Sequence, residues 1–295
     1  MTDSILPFTV TSWNQEKNQS PSISVLISFY NHVPFLRAVL ESLSHQSFQN
    51  FELIICDDGS QLQNVQKIQQ DLSTQKIPCT YVWQKDQGFR KNECLNKGIL
   101  QSRADYLVFV DQDCILHPDF LLDHWTERQE SCLLAGRRTD LTPWVSGLVL
   151  KQQSPSLFLQ KNFFWIFFLI LWMKDNNAPK GIRIPWKFLN RIFNRKNRGV
   201  VGCNFSVAKK DIFAVNGFDM RYHWAGTGED SDIEYRLNLH GVRSLPLCHK
   251  AIQYHLWHRL QHRHTEPEVL FAEVKKLQQK VTPAGLQILK AMNEL

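Results

Sequence analysis

In the first half of the chain, apolar positions come in short, mostly apolar runs, separated by stretches where they recur at helical spacing. The runs are "ISVLISF" (23–29), "FELIIC" (51–56), "TYVW" (80–83) and "YLVFV" (106–110). All are rich in β-branched or aromatic residues and too short for helices, so they predict buried strands. Between the first two, Pro34 suits the first turn of a helix, and Phe35, Leu36, Val39, Leu40 and Leu43 share one of its faces. A polar helix is predicted over about 61–72, and another over "NECLNKGILQS" (92–102). Strands alternating with helices of this length predict βαβ units and a parallel sheet covered on both faces. Ligands of such sheets bind beyond the carboxyl ends of the strands. "SFYN", "DDGS" and "DQD" all sit at predicted strand ends, so three polar clusters converge on one rim.

Elsewhere the pattern changes. Residues 1–21 are polar with scattered apolar positions and predict a flexible lead. From about 140 to 199 the alternation lapses, and the segment holds the run "FFWIFFLILWM" (163–173). Between Lys174 and Arg198 there are eight Lys or Arg against a single acid, Asp175. Regular patterning resumes at Val200. It includes a short helix after "GTGEDSD", with Ile233, Tyr235, Leu237 and Leu239 as its apolar positions, and strands at "VRSLPLC" and "KAIQYHLWH". One or two amphipathic helices are predicted over 266–295.

Composition narrows the classes. With 43% hydrophobic and 21% charged residues over 295 positions, the chain can bury a full core. The net charge of +6 is too diffuse to imply nucleic acid, and no such partner is expected. Seven scattered cysteines without a CxxC pair predict reduced cytosolic thiols, neither a disulfide frame nor a zinc site. The N-terminus lacks a basic stretch followed by a long apolar core, so no signal peptide is expected. A bilayer-crossing helix needs about 20 apolar residues, which the 163–173 run does not supply. That run and the basic stretch after it fit either a core helix with a solvated face or an in-plane anchor on anionic lipid.

The polar clusters carry the candidate chemistry. Asp111 and Asp113, at i and i+2 in an extended segment, would point to one side and repel unless a hard divalent cation relieves them. The bland alternative is a turn. Asp57 and Asp58 head an Asp-Gly-Ser stretch, common turn chemistry that by itself accounts for Asp57, while the functional reading has Asp58 accepting hydrogen bonds from a base or ribose. Glu229 and Asp230 follow two glycines. Acids at a helix start complement its dipole, but a carboxylate in a cleft also serves as general base for a hydroxyl. His255 and His258 follow a predicted strand, and an imidazole added to carboxylates suits manganese-like ions better than magnesium. Arg90 and Lys91 follow Gly88. An arginine fork matches phosphate oxygens, whereas a solvated turn needs no ligand.

Taken together, "ISVLISFYN", "SLSHQSFQNFELIICDDGS" and "YLVFVDQD" resemble the N-terminal half of family 2 glycosyltransferases with the GT-A fold. "GCNFSVAKKDIFAVNGFDMRY" and "GEDSDIEYRLNLHG" resemble the galactosyltransferase-type module of β-1,4-galactosyltransferases and chondroitin polymerases. The resemblance spans roughly residues 22–260. It implies an α/β, Rossmann-like GT-A fold with a mostly parallel central sheet, a helical apolar and basic insertion, and a C-terminal helical tail. The implied division is a lead (1–21), a nucleotide-sugar half (22–139), the insertion (140–199), an acceptor and catalytic half (200–260) and the tail (261–295).

By resemblance, Ser28 and Asp58 contact the nucleoside, Arg90 lies near nucleoside or diphosphate, and Asp111 faces the ribose or sugar. Asp113 is the metal ligand, completed by His255 with His258 as its rival. Asp230 is the base and Glu229 binds sugar. Trp224 belongs to the sugar-binding loop, whose spacing departs from the family pattern. The implied activity is inverting transfer from a nucleotide-diphosphate sugar, a UDP-sugar first among donors, to a glycan or lipid-linked acceptor in envelope polysaccharide synthesis. Mn2+ is the expected cofactor, with Mg2+ as substitute, and the expected location is cytoplasmic or peripheral on the cytoplasmic face of a membrane. A catalytically silent scaffold and a retaining transferase are the alternatives.

Overall fold

The computed structural model describes residues 8–15, 20–172, 178–184, 186, 199–224, 226, 229–259 and 264–293. Among them are strands β1 (Phe8–Trp13), β2 (Ile23–Phe29), β3 (Phe51–Asp57), β4 (Cys79–Gln84), β5 (Tyr106–Asp111) and β6 (Cys114–Leu116). Then follow β7 (Cys132–Ala135), β8 (Thr139–Asp140), β9 (Asn204–Ala208), β10 (Arg243–Pro246) and β11 (Gln253–His255). Eight strands make one sheet in the order β1-β4-β3-β2-β5-β9-β7-β10. The inner four, β4, β3, β2 and β5, run parallel, whereas β9 is antiparallel to both of its neighbours.

The mostly apolar runs arise because these inner strands are covered on both faces. Val25 and Ile27 face a core shared with helix Val33–Ser44. Leu26 and Ile54 face the opposite core, with Ile99 of helix Lys91–Gln101 and Ile233 of helix Glu229–Leu239. Register explains the convergence of the motifs. Ser28 pairs with Asp111 and Phe29 with Asp57, so three strand ends finish level on one rim.

A second sheet, β6-β11-β8, stands beside that rim. In it His255 lies opposite Cys114 on one side and Asp140 on the other. Helices Pro143–Leu150, Pro155–Lys161 and Phe163–Trp172 pack against this small sheet through Val145, Val149, Leu159, Ile166 and Tyr254. No helix among the described residues is long and apolar enough to cross a membrane. Helices Glu266–Lys276 and Leu286–Asn293 end the described chain, and Leu286 enters the main core.

The N-terminal lead departs from expectation. Residues 8–13 form β1, an edge strand antiparallel to β4, in place of a flexible segment. All six residues of "FTVTSW" are partly or fully exposed, as on an edge strand, and its threonines and serine leave no apolar run to mark it. Residues 1–7 and 16–19 of the lead, and most of the basic stretch (173–177, 185 and 187–198), lie outside the described residues.

Candidate active site at the sheet rim

β5 ends at Asp111, and the chain turns through Gln112 and Asp113 before β6. That turn overturns the expectation of two carboxylates side by side on extended backbone. Asp111 accepts Ser28 Oγ at 2.5 Å and lies 3.1 Å from Lys91 Nζ. Gln112 pins the turn to β2, its backbone N donating to Ser28 O at 3.1 Å and its Oε1 accepting Tyr30 N at 3.0 Å. Asp113 is left to face elsewhere.

It faces two histidines. His258 Nε2 is 3.1 Å and His255 Nε2 3.4 Å from Asp113 Oδ2. Ligand atoms of these three residues all lie within 4.8 Å of one another. Both histidines are therefore drawn to Asp113. β11 delivers His255, and the backbone bond from Leu256 N to Asp113 O (2.8 Å) holds the following residues alongside. His255 Nδ1 is 3.1 Å from Asp140 Oδ1, which also pairs with Arg138 Nε at 3.0 Å. A carboxylate on one ring nitrogen holds that nitrogen's proton and directs the other nitrogen's lone pair inward. Burial opposes charge on Asp113, yet hydrogen bonds from His255 and His258 and the charge of His255 win, keeping its carboxyl far below the usual range. Burial also opposes protonation of His255, but its bonds to Asp113 and Asp140 raise it to about 9. Such a site has a strong pull for positive charge. Two imidazoles and one carboxylate fit a manganese-like divalent ion.

At the other end of the rim, Asp57 is structural. It accepts Ser60 N at 2.8 Å and the hydroxyl of Tyr81, and burial lifts it to about 6. Asp58 keeps an edge in the cleft. It accepts Gln84 Nε2 at 2.6 Å and Arg90 N at 2.7 Å, while burial pushes it up to about 7. Arg90 meets Asp58 through its main chain, and its guanidinium bonds to Phe89 O at 3.2 Å. The cation on Asp111 is Lys91, which a solvated-turn reading would pass over.

Asp230 opens helix Glu229–Leu239. Its Oδ2 accepts Gly202 N at 2.9 Å. A Cβ on Gly202 would lie 2.2 Å from Asp230 Oδ1, so only glycine lets the backbone approach this acid. Burial raises the proton affinity of Asp230, Lys91 lowers it and Asp111 raises it again; the carboxyl ends above its usual value while retaining some exposure. Those partners place Asp230 within electrostatic reach of the Asp111–Lys91 pair. Trp224 is 46% exposed and stacks on His264 at 4.2 Å. The side chain of Glu229, residues Thr227 and Gly228 of the preceding loop, and His262 lie outside the described residues.

The motifs do not point to Asp140, Arg138, Gly202 or Gln84. Asp140 joins the site only because β11 pairs with a two-residue strand, a nonlocal event with no local pattern. Asp232 offers a fairer signal, lying four residues before Arg236. Its carboxylate is buried against that guanidinium at 2.7 Å, so it is not merely a helix-start acid.

Residues 24–142 match the family model described as Glycosyl transferase family 2, and residues 190–263 match that of the N-terminal domain of galactosyltransferase. Over 123 residues the chain is 30% identical to the putative glycosyltransferase EpsH of Bacillus subtilis, covering 42% of this chain and 33% of that one. It is 27% identical over 254 residues to hyaluronan synthase of Pasteurella multocida, covering 76% of this chain and 24% of the synthase. The chain thus spans a third or less of these two relatives. The structure of S. aureus TarS 1–349 in complex with UDP-GlcNAc aligns with a TM-score of 0.53 at 17% identity, over 87% of this chain and 65% of that one. The mannosyltransferase PcManGT from Pyrobaculum calidifontis, in complex with GDP-Man and Mn2+, aligns with a TM-score of 0.53 at 13% identity, over 89% and 64%. At such identities the likeness is one of fold. With two family models matched in the order of the rim's motifs, the chain belongs to glycosyltransferase family 2, built on the GT-A fold with a galactosyltransferase-type module in its C-terminal half.

Proposed function

We propose that the chain is a metal-dependent, inverting transferase that moves a sugar from a nucleotide diphosphate to a hydroxyl of a glycan or lipid-linked acceptor in envelope polysaccharide synthesis. The observation that carries it is the gathering of Asp113, His255 and His258 beside the Asp111–Lys91 pair, with Asp230 brought to the same cleft by a separate helix. TarS with UDP-GlcNAc and PcManGT with GDP-Man and Mn2+ support a nucleotide-sugar donor, here a UDP-sugar, and a divalent cation. Asp113, His255 and His258 would hold that cation, Mn2+ first and Mg2+ second. When bound, it supplies positive charge against the leaving diphosphate.

The chain's own groups do the rest. Lys91 adds charge near Asp111, and Ser28 orients that carboxylate toward the ribose or sugar. Asp58 accepts from the base, with the main chain of Arg90 behind it. Glu229 and Trp224 bind sugar on the acceptor side. Burial gives Asp230 the proton affinity of a general base, and it takes the acceptor proton as the oxygen attacks. One displacement with one base inverts the anomeric centre. On this reading residues 22–139 bind donor, 200–260 bind acceptor, and 261–295 are a supporting tail.

The remaining proposed partner is an anionic membrane at the cytoplasmic face. Trp144, Phe164, Trp165 and Phe168 are 55%, 75%, 48% and 65% exposed, and Trp144 touches Trp165 edge to face at 5.9 Å. From Leu141 to Lys174 the sequence contains lysines 151, 161 and 174 and not one acid. Aromatics with only cations among them suit an anionic bilayer interface.

Asp230→Asn tests the chemistry. It is expected to abolish sugar transfer and leave nucleotide binding nearly intact; retained transfer would place the base elsewhere.

A further inference from the structure

Beneath the nucleoside end of the rim lies a buried polar chain that the transfer step does not use. Lys97 is fully buried, with its ammonium 2.9 Å from Gln84 Oε1 and 2.7 Å from Glu93 Oε1. β1 closes over it, and the Phe8 ring centroid is 5.0 Å from Nζ. Gln84 is equally enclosed, and its Nε2 donates to Asp58 Oδ1 at 2.6 Å and to Arg90 O at 3.3 Å.

The two ends of a glutamine amide differ little in shape, so only the partners determine which way it faces. An ammonium only donates. Lys97 therefore holds the amide oxygen and turns the NH2 toward Asp58. Arg90 N supplies a second donor, to Asp58 Oδ2, at 2.7 Å. A carboxylate braced from behind by two donors offers the cleft acceptors alone. Were the amide reversed, its oxygen would face Asp58, and the acid would have to carry a proton between them and so lose that character.

We propose that Lys97 is a positioning residue. Through Gln84 it fixes Asp58 as a pure acceptor and so sets base selectivity in favour of a ring N–H donor, as in uracil or guanine. Cytosine presents a ring-nitrogen acceptor at the same edge and is disfavoured. This rests on the proposed contact between Asp58 and the base, and adds to it the residue that decides which bases that contact accepts.

The test compares UDP with CDP binding to the full chain in the presence of Mn2+, by calorimetry, in wild type, in Lys97→Met/Glu93→Gln and in Gln84→Met. The double variant leaves no buried charge stranded, and replacing such a pair is often neutral for stability. Should it fail to fold, Gln84→Met carries the test, because it removes the amide and no charge. Wild type is expected to prefer UDP. In the variants the UDP-to-CDP preference is expected to fall about tenfold through weaker UDP binding, as when one buried hydrogen-bonding arrangement is lost. CDP affinity should stay level. Equal weakening of both nucleotides, or an unchanged preference, would overturn the role of Lys97. A wild type with no preference would instead overturn the contact between Asp58 and the base, and the inference with it.

Discussion

At Gly202 the backbone lies so close to Asp230 that a methyl group would meet its carboxylate oxygen at 2.2 Å. The group in the way is a side chain that can move, so Gly202→Ala should displace the acid without unfolding the protein. Transfer is expected to fall about a hundredfold, the scale of a 1 Å misplacement, with the melting temperature nearly unchanged; matched losses in both would make Gly202 a purely structural glycine. Asp58 adds a pH dependence. Burial lifts it to about 7 from the ordinary 3.8, so in the free protein it holds a proton below that point and accepts from a base only above it. Uridine, which needs no metal, is therefore expected to bind more tightly as pH rises from about 5.5 through 7 and to level off above about 8. Calorimetry across that range checks it, and affinity that falls with pH would contradict it. These acids were legible because each ends or opens a patterned segment. Their supports, Gln84, Asp140 and Gly202, were not, since a buried amide, a lone acid before a proline-started helix and a single glycine have no distinguishing local pattern.

Helices do more at the rim than fill space. Helix Lys91–Gln101 carries Lys91 at its start and Lys97 inside it. Asn92 Nδ2 donates to Asp219 O at 2.9 Å and Asn96 Nδ2 to Phe218 O at 2.8 Å. Asp219 in turn meets Arg236 at 2.9 Å, and Arg236 meets Asp232 at 2.7 Å, all with side chains no more than 1% exposed. The helix that presents Asp230 is thereby bolted to the helix that braces Asp58. Arg236→Leu strands the buried carboxylate of Asp232, leaves Asp219 with Arg221 alone, and is expected to cost about 3–5 kcal/mol in chemical denaturation. The exposed Arg37–Asp71 pair, tested the same way, should cost no more than about 1 kcal/mol. Equal costs would mean the buried cluster is relaxed by water or by movement. The element pattern was readable where a strand is covered on both faces and a helix has one apolar stripe. It failed for β8, two residues long, which exists only through its partner, whereas β11 falls inside the strand predicted over "KAIQYHLWH".

For the molecule as a whole, the sequence located the rim but not the second sheet that completes it. Level registers in the main sheet bring three motifs together, and the pairing of β11 with β6 and β8 carries two histidines back across more than a hundred positions. The same small sheet supports the helix whose aromatic face stands exposed. Introducing Phe164→Glu with Phe168→Glu is expected to abolish co-sedimentation with phosphatidylglycerol vesicles while leaving the UDP–Mn2+ thermal shift in place. Wild-type chain that ignores such vesicles would remove the membrane from the proposal and leave the transfer chemistry untouched. Everything at the rim turns on cation binding by one carboxylate and two imidazoles. Electron spin-echo spectroscopy of Mn2+ bound together with UDP reads those nitrogens directly. The expected spectrum shows imidazole nitrogen modulation that weakens in His255→Ala and again in His258→Ala. Oxygen-only ligation, or nitrogen coupling that survives both substitutions, would contradict it.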